Sequence, residues 1–332
     1  MKKILSYDMP DMDGVSCMIG YAEFLNQKGE NCKYIIKGEP KREVNIVCDK
    51  FKINLKKLLS YKLNANDEVI LVDTNELGEI NQKINYNNVV EIIDHHHISD
   101  KLNKMKNAKV QIEKIGAAAT LVTEKYMNSK ANISKDSAIM LYYGIISNTM
   151  NFNANATERD MKAANWLEIQ SGLKLKSYIR EIFIEKSKIP DLTSLRNEMD
   201  MEYKNETLKI SWSMGQLEVA NVKEFIDKNK DNIINTMEHI RQERKIELLS
   251  VNCIDILNGY TIIISLNNKT TEILFNALNF DFKNGLSYIP KIITRKEISE
   301  KVWEKYGKWW ETSKLVSRIC GKLFGYSFCN IN

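Results

Sequence analysis

An apolar run that halts on chemically active side chains constrains the fold of this chain most. Val89 to Asp100 reads VVEIIDHHHISD, in which Val89, Val90, Ile92 and Ile93 give way abruptly to Asp94, His95, His96 and His97. Such a run suits a strand buried on both faces, as in a parallel sheet covered by helices. Open α/β sheets bind their ligands beyond the carboxyl ends of their strands, where these histidines fall. The chain has four histidines, and three of them stand here. A single histidine is usually a satisfied core or surface residue, whereas three in a row behind an aspartate favour metal or phosphate chemistry.

Two earlier segments repeat the pattern. Ile4-Leu5 opens a strand ending at Tyr7, and Val15 to Leu25 carries apolar residues at helical spacing as far as Gly29. Between them lies Asp8-Met9-Pro10-Asp11-Met12-Asp13-Gly14. Asp11 and Asp13 repel each other, and a divalent cation held by oxygen relieves that repulsion; the competing reading is a solvated acidic turn with Asp13 as a helix cap. Asp67 to Asp73, DEVILVD, is another buried strand ending in a carboxylate, followed by Thr74-Asn75-Glu76. The alternation predicts an α/β fold with a doubly wound parallel sheet, its strands ending in Asp or His along one edge.

After Val110 to Ile115, the small residues Gly116 to Thr120 begin a helix to about Tyr126, and its start suits either a bound anion or plain close packing. Ser134 to Ile146 is a further apolar helix ending in Ser147-Asn148-Thr149, and Thr157 caps a helix through Ser171-Gly172 with Asp160 in its first turn. Polar sequence with Pro190 marks a boundary at 186–194. Beyond it, strands at Thr207–Met214, Leu248–Ile256 and Tyr260–Leu266, a long helix over Asn221–Lys245 and a last βα element from Ile289 into Thr294-Arg295-Lys296 make a smaller mixed α/β domain. Val302 to Phe328 sets Trp303, Trp309, Trp310 and aliphatic residues among Lys and Arg. It is expected to dock its apolar face on the second domain or a second copy, the alternative being a membrane surface.

At 332 residues the chain has room for two cored domains. A net charge of +5, spread along the chain, permits an anionic small substrate and gives no sign of a nucleic-acid arm. Six cysteines without a CxxC pair read as free thiols of a reducing compartment. MKKILSYDMPDMDG reads as a first strand and not a signal peptide, and with no apolar run able to span a bilayer a cytoplasmic location is expected.

Asp11-x-Asp13, Asp73 after its apolar strand, Asp94-His95-His96 and the later Ser-x-Thr together resemble the DHH phosphoesterase superfamily. Within it, Val72-Asp73-Thr74-Asn75-Glu76, Gly215-Gln216-Leu217-Glu218 and Thr294-Arg295-Lys296 resemble family II, manganese-dependent inorganic pyrophosphatases with their DHH-associated C-terminal domain. On that resemblance residues 1–187 are a DHH domain, 188–194 a linker, 195–300 the DHH-associated domain and 301–332 an aromatic basic extension.

The resemblance implies a hydrolase of small phosphate compounds, holding two Mn²⁺ or Mg²⁺ ions in a cleft between domains and dimerising through the first. Asp11, Asp13, Asp73 as the bridge, and His95 fall on metal ligands; His96 falls on a phosphate-contacting or acid residue, and Arg295 and Lys296 on a phosphate clamp. These donor types suit such ions, and Arg295 and Lys296 suit phosphate.

There are departures. Tyr7 stands where the family has a histidine ligand four residues before Asp11, and Asn148 where it has an aspartate, so each metal position loses a good donor and Asn148 offers an amide oxygen. Asp8 is a candidate replacement for the missing histidine. Glu297 is expected to soften the clamp, and the family's early lysine of the second domain has no clear match near Arg196 to Lys204. Two alternatives follow: an inactive relative that binds a phosphorylated ligand or partner, and a DHH nuclease or cyclic-dinucleotide phosphodiesterase. Against the latter stands the absence of a glycine-rich nucleotide-binding motif near the C-terminus.

Overall fold

A computed structural model describes residues 1–306 except 56–62, 65, 81–83, 130, 200–201, 205–211 and 303. The chain divides into two compact units, Met1–Lys186 and Ser187–Asn332.

The first unit runs β1 (Lys2–Leu5), α1 (Met12–Gln27), β2 (Cys32–Tyr34), α2 (Arg42–Phe51), β3 (Glu68–Val72), β4 (Val89–Asp94), β5 (Lys109–Ile112), α3 (Ala118–Met127), α4 (Lys135–Asn148), α5 (Glu158–Ser171) and α6 (Ile179–Lys186). The strands lie in the order β2-β1-β3-β4-β5, all parallel. Ile70, Leu71, Val72, Val89, Ile92 and Ile93 are completely buried, which is why β3 and β4 read as unbroken apolar runs. The chain leaves β1 for β2 and returns to the other side of β1 for β3, so the winding reverses between β1 and β3. Ligands of such sheets sit in the crevice at that reversal. Asp11 and Asp13 follow β1 and Asp73 follows β3.

The first strand stops at Leu5, short of the expected Tyr7, while the expected helices at 15–25, 134–146 and 157–171 are α1, α4 and α5. Thr157 and Asp160 form a reciprocal capping box on α5, and Gly172 closes it in the left-handed region with φ 67°. β2, α2 and α6 are short elements that were not expected, although α2 buries Val44, Val47 and Cys48 at helical spacing.

The second unit runs α7 (Leu192–Glu198), β6 (Glu202–Lys204), β7 (Trp212–Val219), α8 (Val222–Glu243), β8 (Leu248–Asp255), β9 (Tyr260–Ser265), α9 (Asn268–Leu278) and β10 (Leu286–Ile289), with residues 295–302 helical beyond it. Its sheet has the order β10-β9-β8-β7-β6, with β7 and β8 parallel and the other pairs antiparallel. Alternate residues of β8 serve opposite faces: Leu249, Val251 and Cys253 pack in one core with α8, and Leu248 packs in another with Leu274 of α9 and Ile298.

Two expectations change here, and a third falls largely outside the described residues. The 188–194 linker contains the start of α7, because Asp191 accepts a hydrogen bond from Ser194 N at 2.7 Å and caps it, while Leu195 and Met199 join the core. The strand expected over Thr207–Met214 runs from Trp212 on to Val219, paired along its length with β8; residues 207–211 lie outside the described residues. Most of the tryptophan-rich tail, from 307 on, also lies outside them, and Val302 packs in the core with Ile298.

Cys17, Cys32, Cys48 and Cys253 are buried thiols outside any disulfide; Cys320 and Cys329 fall outside the described residues. No helix among the described residues is long and apolar enough to cross a membrane.

Candidate metal centre

Asp11 ends the β1 loop as the N-cap of α1, its Oδ1 accepting from Asp13 N at 2.9 Å and Gly14 N at 3.1 Å. Asp13 is therefore not the cap. It is buried, and its two oxygens accept from Ala118 N and Ala119 N, each at 2.8 Å. The anion that the small-residue start of α3 suits is thus the chain's own carboxylate. Burial, with Asp73 nearby, still pushes Asp13 well above the usual carboxylate range.

Asp73 stands just beyond β3 at φ 57°, a left-handed conformation that aspartate tolerates better than most residues. Its N–H donates to Ile93 O at 2.9 Å, which carries the ladder on and turns the side chain over the strand ends. Gly14 leaves room for it, since a Cβ there would lie 3.3 Å from Asp73 Oδ2 and 2.7 Å from Ser6 Oγ. Asp73 Oδ1 is buried without a hydrogen bond among the described residues. Burial lifts its carboxyl to about 6 against the pull of His95 and His96.

His95 Nδ1 donates to Ile115 O at 3.0 Å, which turns Nε2 inward to lie 3.4 Å from Asp73 Oδ1 and 3.8 Å from Asp13 Oδ2. Burial lowers this imidazole, but the two aspartates and the Ile115 carbonyl outweigh it and bring its pKa to about 10. Asp94, fully buried, organises the loop: Oδ1 accepts from His95 N at 2.7 Å, His96 N at 3.2 Å and His96 Nδ1 at 2.8 Å, while Oδ2 accepts from Asn75 Nδ2. Burial pushes Asp94 up, yet the hydrogen bonds from His96 and Asn75 hold it below the ordinary range. His96 is lowered by burial and raised more by Asp94 and Asp73, to about 9. Asn75 also donates to His97 O at 2.9 Å and accepts from Ser99 N at 2.6 Å, so one buried amide ties the β3 loop to the β4 loop.

Asp73, His95 and His96 each offer a donor atom, all within 4.8 Å of one another. A buried carboxylate oxygen without a partner, facing an imidazole nitrogen whose ring is anchored from behind, fits a divalent cation. His96 Nδ1 already bonds Asp94, so Asp73 Oδ1 and His95 Nε2 are the strongest donors of the set. Asp11 and Asp13 flank this set.

Asn148, the last residue of α4, brings its Nδ2 to 3.2 Å from His95 Nε2 and 2.8 Å from Gly116 O; it therefore faces the centre with hydrogens, not with the amide oxygen expected of a ligand. Tyr7 accepts from Asp11 N at 3.3 Å, and burial, Asp11 and Asp73 keep its phenol well above its ordinary pKa and so neutral. Asp8 pairs with Lys37 at 3.2 Å instead of replacing the missing histidine. In the second unit, Arg295 and Lys296 open the helix at 295–302, where Arg295 N donates to Gln216 Oε1 at 2.8 Å. Glu297 accepts from Thr294 N at 2.7 Å and Thr294 Oγ1 at 2.8 Å and so caps the helix that Arg295 and Lys296 open. Asp94 and Asn75 were given no role of their own from the sequence, although both stand inside the motifs quoted from it.

Fold and site define an α/β protein of two units with a cluster suited to metal binding at the switch point of its parallel sheet. Residues 3–145 match the DHH family, N-terminal domain. The manganese-dependent inorganic pyrophosphatase of Bacillus subtilis is 24% identical over 309 residues, 90% of this chain and 96% of that protein. A "probable manganese-dependent inorganic pyrophosphatase" of Clostridium acetobutylicum is 26% identical over 298 residues, 89% of this chain and 94% of that protein. The crystal structure of a Methanococcus jannaschii protein described as a candidate family II inorganic pyrophosphatase shares the fold with a TM-score of 0.73 at 22% identity, covering 92% of this chain and 99% of that one. The DHH match lies wholly within the first unit, Met1–Lys186.

Proposed function

We propose that the protein is a divalent-metal-dependent phosphohydrolase acting on inorganic pyrophosphate or short polyphosphate. The observation that carries this reading is Asp73 Oδ1, buried without a hydrogen bond among the described residues and 3.4 Å from His95 Nε2. The names of the Bacillus subtilis and Clostridium acetobutylicum relatives support the substrate and the choice of Mn²⁺ over Mg²⁺. Held by Asp73 and His95, such an ion would supply Lewis acidity, both to make water a nucleophile near neutral pH and to neutralise phosphoryl charge.

The chain's own residues do the rest. Asp94 holds the Nδ1 proton of His96 and so fixes the ring with its other nitrogen directed away from Asp94, suited to protonate a leaving phosphate. Asp11 and Asp13 add negative charge beside the ion, and as ligands of a second ion they would have to work without a charged donor at Tyr7 or Asn148. Arg295 and Lys296 bind substrate phosphate, the first as a planar fork and the second as a point charge.

A second reading, favoured by the neutral Tyr7 and Asn148, is a protein that binds a phosphorylated ligand without turning it over. Purified full-length protein with Mn²⁺ or Mg²⁺, offered pyrophosphate, triphosphate and a dinucleotide, separates the readings. Phosphate release that vanishes in Asp73→Ala supports hydrolysis. Pyrophosphate binding by calorimetry with no release from any substrate supports the second reading and ends the first.

A further inference from the structure

We propose that Asn148 keeps the centre's affinity for divalent cations low, by aiming the hydrogen-bearing end of its amide at the nitrogen that takes the ion. This rests on Asp73, His95 and His96 being a cation site.

An amide nitrogen carries two hydrogens and accepts nothing. One hydrogen of Asn148 Nδ2 serves Gly116 O at 2.8 Å; the other is directed at His95 Nε2, 3.2 Å away. Turning the amide over does not relieve this, because Oδ1 would then stand at hydrogen-bond distance from the Gly116 carbonyl, acceptor against acceptor. Nor does the carbonyl have much freedom. Gly116 N is held by Asp160 Oδ2 at 3.0 Å, and the segment is packed so closely that a Cβ at Gly116 would lie 2.6 Å from Thr149 Cγ2 and 2.7 Å from Asp160 Oδ2. The imidazole is pinned as well, Nδ1 to Ile115 O at 3.0 Å, so the ring cannot swing Nε2 away from the amide.

With the ring neutral, the form a cation needs, this donor bonds the Nε2 lone pair, and a cation that takes the lone pair displaces and repels it. Loading the ion therefore forfeits a hydrogen bond and brings the positive end of an amide dipole up to a positive charge. A hydrogen bond of ordinary net strength corresponds to about three- to tenfold in affinity.

The test is calorimetric titration of Mn²⁺ into full-length protein stripped by chelator, wild type against Asn148→Ala, with a thermal melt of each protein with and without Mn²⁺. Asn148→Ala is expected to bind Mn²⁺ about three- to tenfold more tightly, with a larger rise in melting temperature on adding the ion. Asn148→Leu, which keeps the volume and cannot donate, carries the same test if the alanine variant does not fold. Weaker Mn²⁺ binding in Asn148→Ala would identify Asn148 as a ligand and overturn the proposal. Binding in the variant with none in the wild type supports it in its strongest form. No binding in either protein ends the cation reading, and this inference with it.

Discussion

Asp160 tests how the centre is held in place. Its carboxylate is wholly buried; Oδ2 accepts from Gly116 N at 3.0 Å, Thr157 N at 2.7 Å and Thr157 Oγ1 at 2.7 Å, and Oδ1 accepts from Thr120 Oγ1 at 2.6 Å. It thereby joins the first turn of α5 to the segment leading into α3, whose Ile115 and Gly116 carbonyls fix His95 and Asn148. In Asp160→Asn the new amide nitrogen can replace Oδ1, because the Thr120 hydroxyl can turn from donor to acceptor, and the remaining oxygen keeps its three donors. What is lost is the charge of the acceptor, on the order of 1 kcal/mol per bond, partly offset because a neutral amide is cheaper to bury. The expected cost is about 1–2 kcal/mol. Asp160→Ala instead strands the buried Gly116 N–H and removes the α5 cap, for about 4 kcal/mol in all. Two units need not unfold together, so the measurement is hydrogen exchange in α3 and α5 and not a single global transition. Exchange through opening of the unit should quicken about tenfold in the Asn variant and about a thousandfold in the Ala variant. Equal effects of the two substitutions, or an alanine variant within about 1 kcal/mol of wild type, would refute the argument that unanswered donors, and not lost charge, set the cost.

Asn75→Ala removes the tie between the β3 and β4 loops while leaving every donor of the centre in the chain. By the usual cost of losing an outer partner of a metal ligand, Mn²⁺ affinity should fall about 10- to 100-fold, and unchanged affinity by calorimetry would dismiss that role. Stability of the metal-free protein should fall as pH rises. His95 and His96, raised from 6.5 to about 10 and about 9, contribute stability that is fully present below about 6.5 and lost through those values. Asp73, raised from 3.8 to about 6, acts in the same direction, since its contribution is present below 3.8 and lost by about 6. Melting temperatures in chelator at pH 6, 8 and 9.5 should therefore decline, and the stabilisation given by Mn²⁺ should grow over the same range, because the ion takes deprotonated imidazole. A chelated protein that melts higher at pH 9.5 than at pH 6 would contradict this.

The edge of the sheet that carries the centre was legible because β3 and β4 are covered on both sides, so their apolar runs end where the chain leaves the core at Asp73 and Asp94. The partners of those residues were not legible, for a reason common to all of them. Asp160 completes a capping box with Thr157, a local role that accounts for its presence and so hides its bond to Gly116, 44 residues away. Asp13 sits two residues after Asp11 at a helix start, where either reads as the cap. Only the amides of Ala118 and Ala119, 105 and 106 residues on, decide that Asp11 caps and Asp13 is buried. In the same way the small residues from Gly116 to Thr120 suit an anion or plain close packing alike, and nothing in them says that the chain itself provides the anion.

Asn148 adds a further step. As a letter in Ser147-Asn148-Thr149 it reads as a ligand weakened by the loss of a charge, and an amide oxygen turned toward the ion would still attract it. The Gly116 carbonyl decides which end of that amide faces His95, and in doing so makes the substitution an opposing group instead of a diminished ligand. The sign of its contribution is therefore a property of one long-range hydrogen bond, which no pattern within the motif encodes.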